Sequence, residues 1–127
     1  QYSTVKGKLV FNVLAQVNHP PVADAGGDRT IYYDSGNSED FGFTFVNGCN
    51  SSDPNGDPLT YLWEQLDSVN ADIEIVSPTS CSCRINATNI LEFGDYTFQM
   101  RLTVNDGLLS DTEIITITLE DLNEEPF

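Results

Sequence analysis

Apolar side chains recur at every second residue in segment after segment of this chain, a spacing that builds half-buried strands and cannot make an amphipathic helix. Tyr96, Phe98, Met100, Leu102 and Val104 alternate with Thr97, Gln99, Arg101 and Thr103. One face of that segment is therefore core and the other meets water. Phe41, Phe43 and Phe45 repeat the pattern, as do Leu59, Tyr61 and Trp63, and again Ile115, Ile117 and Leu119. On this pattern the three phenylalanines and Trp63 are core residues. No stretch carries a 3.6-residue period. Asn55-Gly56 and Asp106-Gly107 supply the positive φ that tight turns between strands require.

About seven such strands lie between Pro21 and Asp121, which predicts an all-β fold, an immunoglobulin-like antiparallel β-sandwich of about seven strands with Trp63 in its third strand. The length of 127 residues suits one core with an accessory segment. That segment is residues 1–17, read as an extra N-terminal strand in which Val5, Leu9, Phe11, Val13 and Ala15 share one face. Residues 18–21 form a Pro-rich linker, because Asn18-His19-Pro20-Pro21 ends strand pairing and stiffens the chain. Residues 22–121 form the sandwich, and residues 122–127 an acidic exit. A strand with an apolar face does not stay alone in water. It must pair with the sheet edge of a neighbouring chain or fold back as an eighth strand.

Twenty acidic residues against five basic ones leave a formal charge of -15. Such a surface repels nucleic acid and anionic lipid, and it recruits cations where carboxylates converge. No apolar run approaches the ~20 residues of a membrane helix. The three cysteines, with a single histidine, do not match a structural zinc site. A disulfide is expected instead, together with an oxidising, extracellular or cell-surface location. Cys49 ends the second strand and Cys81 begins the strand that pairs beside it, so Cys49 bonds Cys81 or, nearly as well placed, Cys83. The cysteine left over is either free or bonded to another chain, where it would lock one subunit to the next.

The stretch from Asn18 to Asp121 resembles the PKD domain, an immunoglobulin-like repeat of surface proteins. Its marks are Pro20-Pro21-Val22-Ala23-Asp24-Ala25-Gly26, then Ser51-Ser52-Asp53-Pro54-Asn55-Gly56-Asp57-Pro58-Leu59-Thr60-Tyr61-Leu62-Trp63. Gly94-Asp95-Tyr96-Thr97-Phe98, Leu102-Thr103-Val104-Asn105-Asp106-Gly107 and Ile115-Thr116-Ile117-Thr118-Leu119 follow in the same order. The exit, Asp121-Leu122-Asn123-Glu124-Glu125-Pro126-Phe127, is similar to the calcium-binding linker between cadherin repeats. Cys49 stands where the PKD family usually has a small polar residue, and Cys81-Ser82-Cys83 is not a mark of that family. The resemblance implies a spacer or adhesion module, usually in tandem, that holds other domains off a surface or binds proteins or glycans.

In the usual order of such a sandwich, the loop from Gly48 to Asp57 and the loop from Asn105 to Asp111 lie at the end where the Pro-rich linker arrives. That gathers Asn18, Asp24, Asp53, Asn55, Asp57, Asp106 and Asp111 as candidate oxygen ligands for calcium, which takes six to eight of them. The start of an EF-hand loop is echoed by Asp53-Pro54-Asn55-Gly56-Asp57, but without the distal Glu and between strands rather than helices. At the opposite end Asp121, Asn123 and Glu124 are candidate ligands shared with a following domain or subunit. Asn50-Ser51-Ser52 and Asn86-Ala87-Thr88 are glycosylation acceptor patterns at Asn50 and Asn86. No enzyme is expected. His19 lies between Asn18 and two prolines, and no serine or cysteine carries a nucleophile motif.

Two functions follow as expectations. The first is a fibre or filament subunit stiffened by calcium and the disulfide, whose N-terminal strand is donated head to tail to the next copy. The alternative is a binding or spacer module of a multidomain surface protein or secreted hydrolase, recognising a protein or glycan, with residues 1–17 as the last strand of a preceding repeat. Exposed aromatic residues would favour the second.

Overall fold

The computed structural model describes residues 2–5, 8–11, 17–35, 41–91 and 93–122. Seven strands make the predicted sandwich. β3 (Arg29–Tyr33), β9 (Ser110–Asp121), β8 (Tyr96–Asn105) and β5 (Thr60–Gln65) form one sheet in that order. The facing sheet is β4 (Gly42–Asn47), β7 (Ser82–Thr88) and β6 (Asp72–Val76). All neighbours are antiparallel except β3, which runs parallel to β9 from Arg29 opposite Ile117 to Tyr33 opposite Asp121. β8 and β9 form the longest ladder, from Tyr96 opposite Leu119 to Asn105 opposite Ser110.

The core lies where the two sheets face each other. Phe98, Met100, Leu102 and Val104 of β8 meet Ile115, Ile117 and Leu119 of β9, Trp63 of β5, and Val46, Ile85 and Ala87 from the opposite sheet, all buried. Trp63 is the core aromatic that the alternation predicts, and its indole N–H donates to the Cys81 carbonyl at 3.4 Å. Burial of such side chains, each worth about 1.5–3 kcal/mol, drives the sheets together.

The phenylalanine run does not follow the expectation. Phe43 is 45% and Phe45 56% exposed, and Phe41 is exposed beside them, while Gly42 and Val46 face the core. The reason is a close approach on the inner side. A Cβ on Gly42 would lie 2.5 Å from the Tyr32 carbonyl oxygen and 2.6 Å from Cγ2 of Ile31, so only glycine lets β3 pass there. With Gly42 inside, the period of two puts every phenylalanine of the run outside.

The N-terminal segment departs as well. Instead of one strand, β1 (Tyr2–Val5) and β2 (Lys8–Phe11) pair antiparallel with each other, Tyr2 opposite Phe11 and Val5 opposite Lys8, in a two-stranded sheet of their own. Val5, Leu9 and Phe11 therefore fall on two strands rather than one, and Val13 and Ala15 lie outside the described residues.

Cys49 and Cys81 form the disulfide, with Cα atoms 4.8 Å apart, closing a loop of sequence separation 32. That settles the choice against Cys83. The remaining thiol is buried on the inward face of β7, and burial pushes its pKa up to about 11. It is in no position to link two chains, so of the two expected fates it takes that of a free thiol.

Replacing Gly42 by Ala should lower unfolding free energy by about 1–3 kcal/mol, because the added carbon meets backbone. Phe45→Ser should stay within about 0.5 kcal/mol. Urea unfolding of the two variants checks the inverted face of β4. Reducing the disulfide should cost about 3–4 kcal/mol in the chain-entropy account, while Cys83 in the native protein should resist alkylation until urea unfolds it.

Candidate cation site at the linker end

The site begins with the turn Asp53-Pro54-Asn55-Gly56. The Asp53 carbonyl accepts the Gly56 N–H at 3.0 Å, Pro54 presets the first bend, and Gly56 takes φ of 77°. Asp53 Oδ2 accepts two further backbone N–H groups, from Asn55 at 2.9 Å and Asp57 at 3.0 Å. This is the expected Asx turn. It leaves Asp53 Oδ1 buried and without a hydrogen-bond partner.

The second half comes from the β8–β9 turn. Asp106 Oδ1 accepts the N–H groups of Leu108 and Leu109 at 2.9 and 2.8 Å, with Gly107 before them at φ of 103°. Asp106 Oδ2 accepts the side-chain amide of Asn18 at 3.0 Å. The N–H groups of Leu109 and Leu108 hold the Asp106 carboxyl below the usual carboxylate range, against the effect of burial, with the Asn18 amide adding to the same direction.

These two turns bring Asp53, Asp57 and Asp106 together, one oxygen of each lying within 4.8 Å of the others. Asn55 does not join them through its side chain. It holds the linker instead, its Nδ2 donating to the Val17 carbonyl at 3.2 Å and its Oδ1 accepting the His19 N–H at 2.8 Å. The linker is thus fastened at three points to the two loops that carry the carboxylates. Farther on, Val22 exchanges backbone hydrogen bonds with Ser52.

Asp24 and Asp111 are used elsewhere. Asp111 Oδ2 accepts the Ala23 N–H at 2.9 Å, and Asp24 Oδ1 accepts the Gly26 N–H at 3.0 Å in an Asx turn of its own. Two residues that the sequence did not single out act in the same way. Glu113 Oε1 accepts the Ala25 N–H at 2.7 Å, and Asp28 Oδ1 accepts the Thr116 N–H at 2.8 Å. Here the leading segment lies beside β9 before β3 begins, and side-chain carboxylates take the place of a ladder partner. Every second residue is involved on each side, Ala23 and Ala25 against Asp111 and Glu113, a spacing that becomes informative only once the two segments are known to be neighbours.

Comparison with solved structures gives the architecture its family likeness. The PKD domain of human KIAA0319 matches with a TM-score of 0.52 over 98% of this chain and 96% of that one, at 13% identity. The fold is that of a PKD domain. The same PKD-like sandwich matches part of a nucleoside hydrolase-related hypothetical protein from Saccharophagus degradans that is associated with carbohydrate metabolism, with a TM-score of 0.57 and 21% identity over 82% of this chain. An endo-fucoidan hydrolase of glycoside hydrolase family 107 matches with a TM-score of 0.50 and 16% identity over 96% of this chain. This chain spans only 26% and 18% of the length of those two proteins. No family model matches the sequence, and no curated protein matches it.

At the other end of the PKD-type sandwich Asp121 closes β9. Its Oδ1 accepts the Ser35 N–H at 3.2 Å and its Oδ2 the Gly94 N–H at 3.3 Å, while the Tyr33 hydroxyl donates to the Gly94 carbonyl at 2.7 Å. Burial and the neighbouring Asp121 charge push the Tyr33 hydroxyl far above its ordinary value. Asp121 so placed ties two loops to β9; Asn123 and Glu124 lie outside the described residues. Of the two glycosylation patterns, Asn50 is exposed in the turn beside the disulfide. Asn86 sits on β7 with its amide engaged, accepting from Arg84 Nε at 2.7 Å and donating to Glu74 Oε1 at 3.1 Å. Among the described residues no helix is long and apolar enough to cross a membrane.

Because the folded-state pKa of Asp106 is depressed, its contribution to stability is complete above the unfolded carboxylate range and is lost as pH falls through the folded value. Urea midpoints measured without divalent cations should therefore decline on acidification. Asp106→Asn should flatten that decline and be less stable than the parent at neutral pH.

Proposed function

We propose that this chain is a non-catalytic extracellular module of a multidomain protein, a spacer whose linker end binds one calcium ion through Asp53, Asp57 and Asp106. The observation that carries the reading is the Asp53 carboxylate. One of its oxygens is saturated by backbone N–H groups while the other is buried without a donor, in a place where two more carboxylates converge. Three carboxylates so close repel one another, and a divalent cation both neutralises them and supplies the missing partner. Hard oxygen ligands on loops suit calcium, with the rest of its six to eight positions filled by water or carbonyls. The disulfide fits an oxidising compartment. Because Asn18 and Asn55 fasten the linker to the same two loops, an ion there would stiffen the joint with whatever precedes the sandwich. The likeness to parts of much longer proteins supports a module.

The pairing of β2 with β1 and the burial of Cys83 favour this reading over a fibre subunit built by strand donation, which needs an unpaired strand and gains from an exposed thiol. Adhesion is favoured by one further observation. Phe41, Phe43 and Phe45 lie exposed in a row, with ring centroids 6.1 and 5.8 Å apart and the Arg84 guanidinium 4.0 Å above the Phe43 ring. That face offers apolar surface and hydrogen-bond donors to a protein or glycan.

Titration of the full chain with calcium should release or absorb heat with one-site stoichiometry and raise the melting temperature in step with free calcium. Asp53→Asn combined with Asp57→Asn should abolish both effects without unfolding the protein at neutral pH. A titration that shows no binding at millimolar calcium would sink the calcium reading. For adhesion, Phe43→Ser with Phe45→Ser should remove binding to any glycan or surface protein that retains the parent.

A further inference from the structure

The phenylalanine row on β4 shares its face with one of the two glycosylation patterns. On β7 the inward side chains are Cys83, Ile85 and Ala87, all buried, so Arg84, Asn86 and Thr88 stand on the outer face between β4 and β6. The register puts Asn86 opposite Phe43 on one side and opposite Glu74 on the other, with Phe45 opposite Arg84. Directly opposed side chains on one face of a sheet are near neighbours, their Cβ atoms about 4.5–5.5 Å apart. Asn86-Ala87-Thr88 therefore presents its acceptor amide at the foot of an exposed row of aromatic rings. Asn50, by contrast, lies in a turn.

The hydrogen bonds that hold the Asn86 amide are compatible with a sugar. Oδ1 accepts from Arg84 Nε at 2.7 Å, and Nδ2 donates to Glu74 Oε1 at 3.1 Å. N-linkage replaces one of the two Nδ2 hydrogens and leaves the oxygen and the other N–H in place. The Arg84 guanidinium, 4.0 Å above the Phe43 ring, and the Glu74 carboxylate hold the amide from both sides. Their charges oppose each other across it, which suits an uncharged occupant, and the first sugar of an N-linked glycan is uncharged. Such a sugar has an apolar C–H face, and the exposed rings are the surface for it to cover.

We propose that Asn86 carries an N-linked glycan whose first sugar packs against the phenylalanine row, beginning at Phe43. The sugar is transferred to the extended chain before β7 pairs, since the folded amide is held on two sides. A bond forms from the sugar C1 to Asn86 Nδ2, the bond from C1 to the pyrophosphate of a lipid-linked donor breaks, and the amide proton leaves with the pyrophosphate. The inference rests on the extracellular reading above and not on the calcium one. It also adds a regulation to the adhesive face. With the sugar attached, that face is filled from within the chain; without it, the rings are open to a partner.

The test uses the full chain with Asn50→Gln, which leaves Asn86 in the one remaining Asn-x-Ser/Thr pattern. Secreted from a glycosylating eukaryotic cell, this protein should gain the mass of a glycan, and Thr88→Ala should lose it. Trimmed by an endoglycosidase to the single attached sugar, it should melt about 2–8 °C above the same polypeptide made without sugar in a bacterial periplasm, where the disulfide still forms. Phe43→Leu, which keeps an apolar side chain and removes the ring, should close that gap. Magnetisation transfer between sugar C–H protons and Phe43 ring protons in the trimmed protein gives a second readout that needs no substitution at the row. Secretion with the Cys49–Cys81 bond formed and no glycan at Asn86 overturns the proposal and leaves the extracellular reading standing. Secretion with both cysteines reduced would sink that reading as well. A glycan at Asn86 with no melting gap, with a gap that Phe43→Leu leaves unchanged, or with no transfer to the Phe43 ring overturns the packing and with it the proposal.

Discussion

Carboxylates that accept backbone N–H groups hold this sandwich together where its ladders stop. Two sheets supply partners for the strands, but a segment that leads into a sheet, or turns at its end, leaves N–H groups that must find acceptors. Here side-chain carboxylates serve: Asp111 and Glu113 for the leading segment, Asp28 for β9, Asp53 and Asp106 for the two turns of the linker end, and Asp121 for the loops at the far end. A hydrogen bond to an ionised acceptor is worth about twice a neutral one. Much of the large negative charge is therefore structural wiring as well as a solubilising coat.

The candidate site grows out of that wiring. Asp53 and Asp106 are each turned inward by two N–H groups of their own loops, which fixes where the remaining oxygens point. The Val22–Ser52 bridge and the Asn18 and Asn55 contacts then bring the linker against both loops. The disulfide joins the ends of β4 and β7 below the same region, and the Cys81 carbonyl accepts the Gly48 N–H at 2.7 Å. A Cβ on Gly48 would lie 2.5 Å from Leu102 Cδ2, so the strand end sits directly on the core. The loops carrying the carboxylates are thus anchored on rigid elements, the condition for a preorganised cation site.

Alternation made most of the fold legible, because strands β5, β8 and β9 each carry enough apolar residues to show which face is inside. It failed at β4, where both faces are readable as apolar: Phe41, Phe43 and Phe45 outvote Gly42 and Val46 on hydrophobicity, yet a carbonyl group of β3 demands the glycine side. It failed also between Tyr2 and Phe11, where a single alternating run reads the same whether or not it folds back on itself. Of the carboxylates expected at one end, Asp53, Asp57 and Asp106 converge while Asp24 and Asp111 do not. The three that converge lie on the two turns, whereas Asp111 stands on β9 and Asp24 on the leading segment, each facing a backbone N–H of that segment.

The sequence by itself determined that this protein is a β-sandwich with a linker-bearing acidic end, because a period of two, turn-forming Asn-Gly and Asp-Gly pairs and paired strand-end cysteines are local signals carried by single side chains. Only the tertiary structure decided which face of β4 is buried, which cysteine stays out of the disulfide, and which of the carboxylates face one another. Each of those outcomes is set by contacts between segments far apart in the chain, such as the passage of Tyr32 over Gly42 or of Ala23 beside Asp111. Physical neighbours across a sandwich have no fixed spacing along the sequence from which to read them.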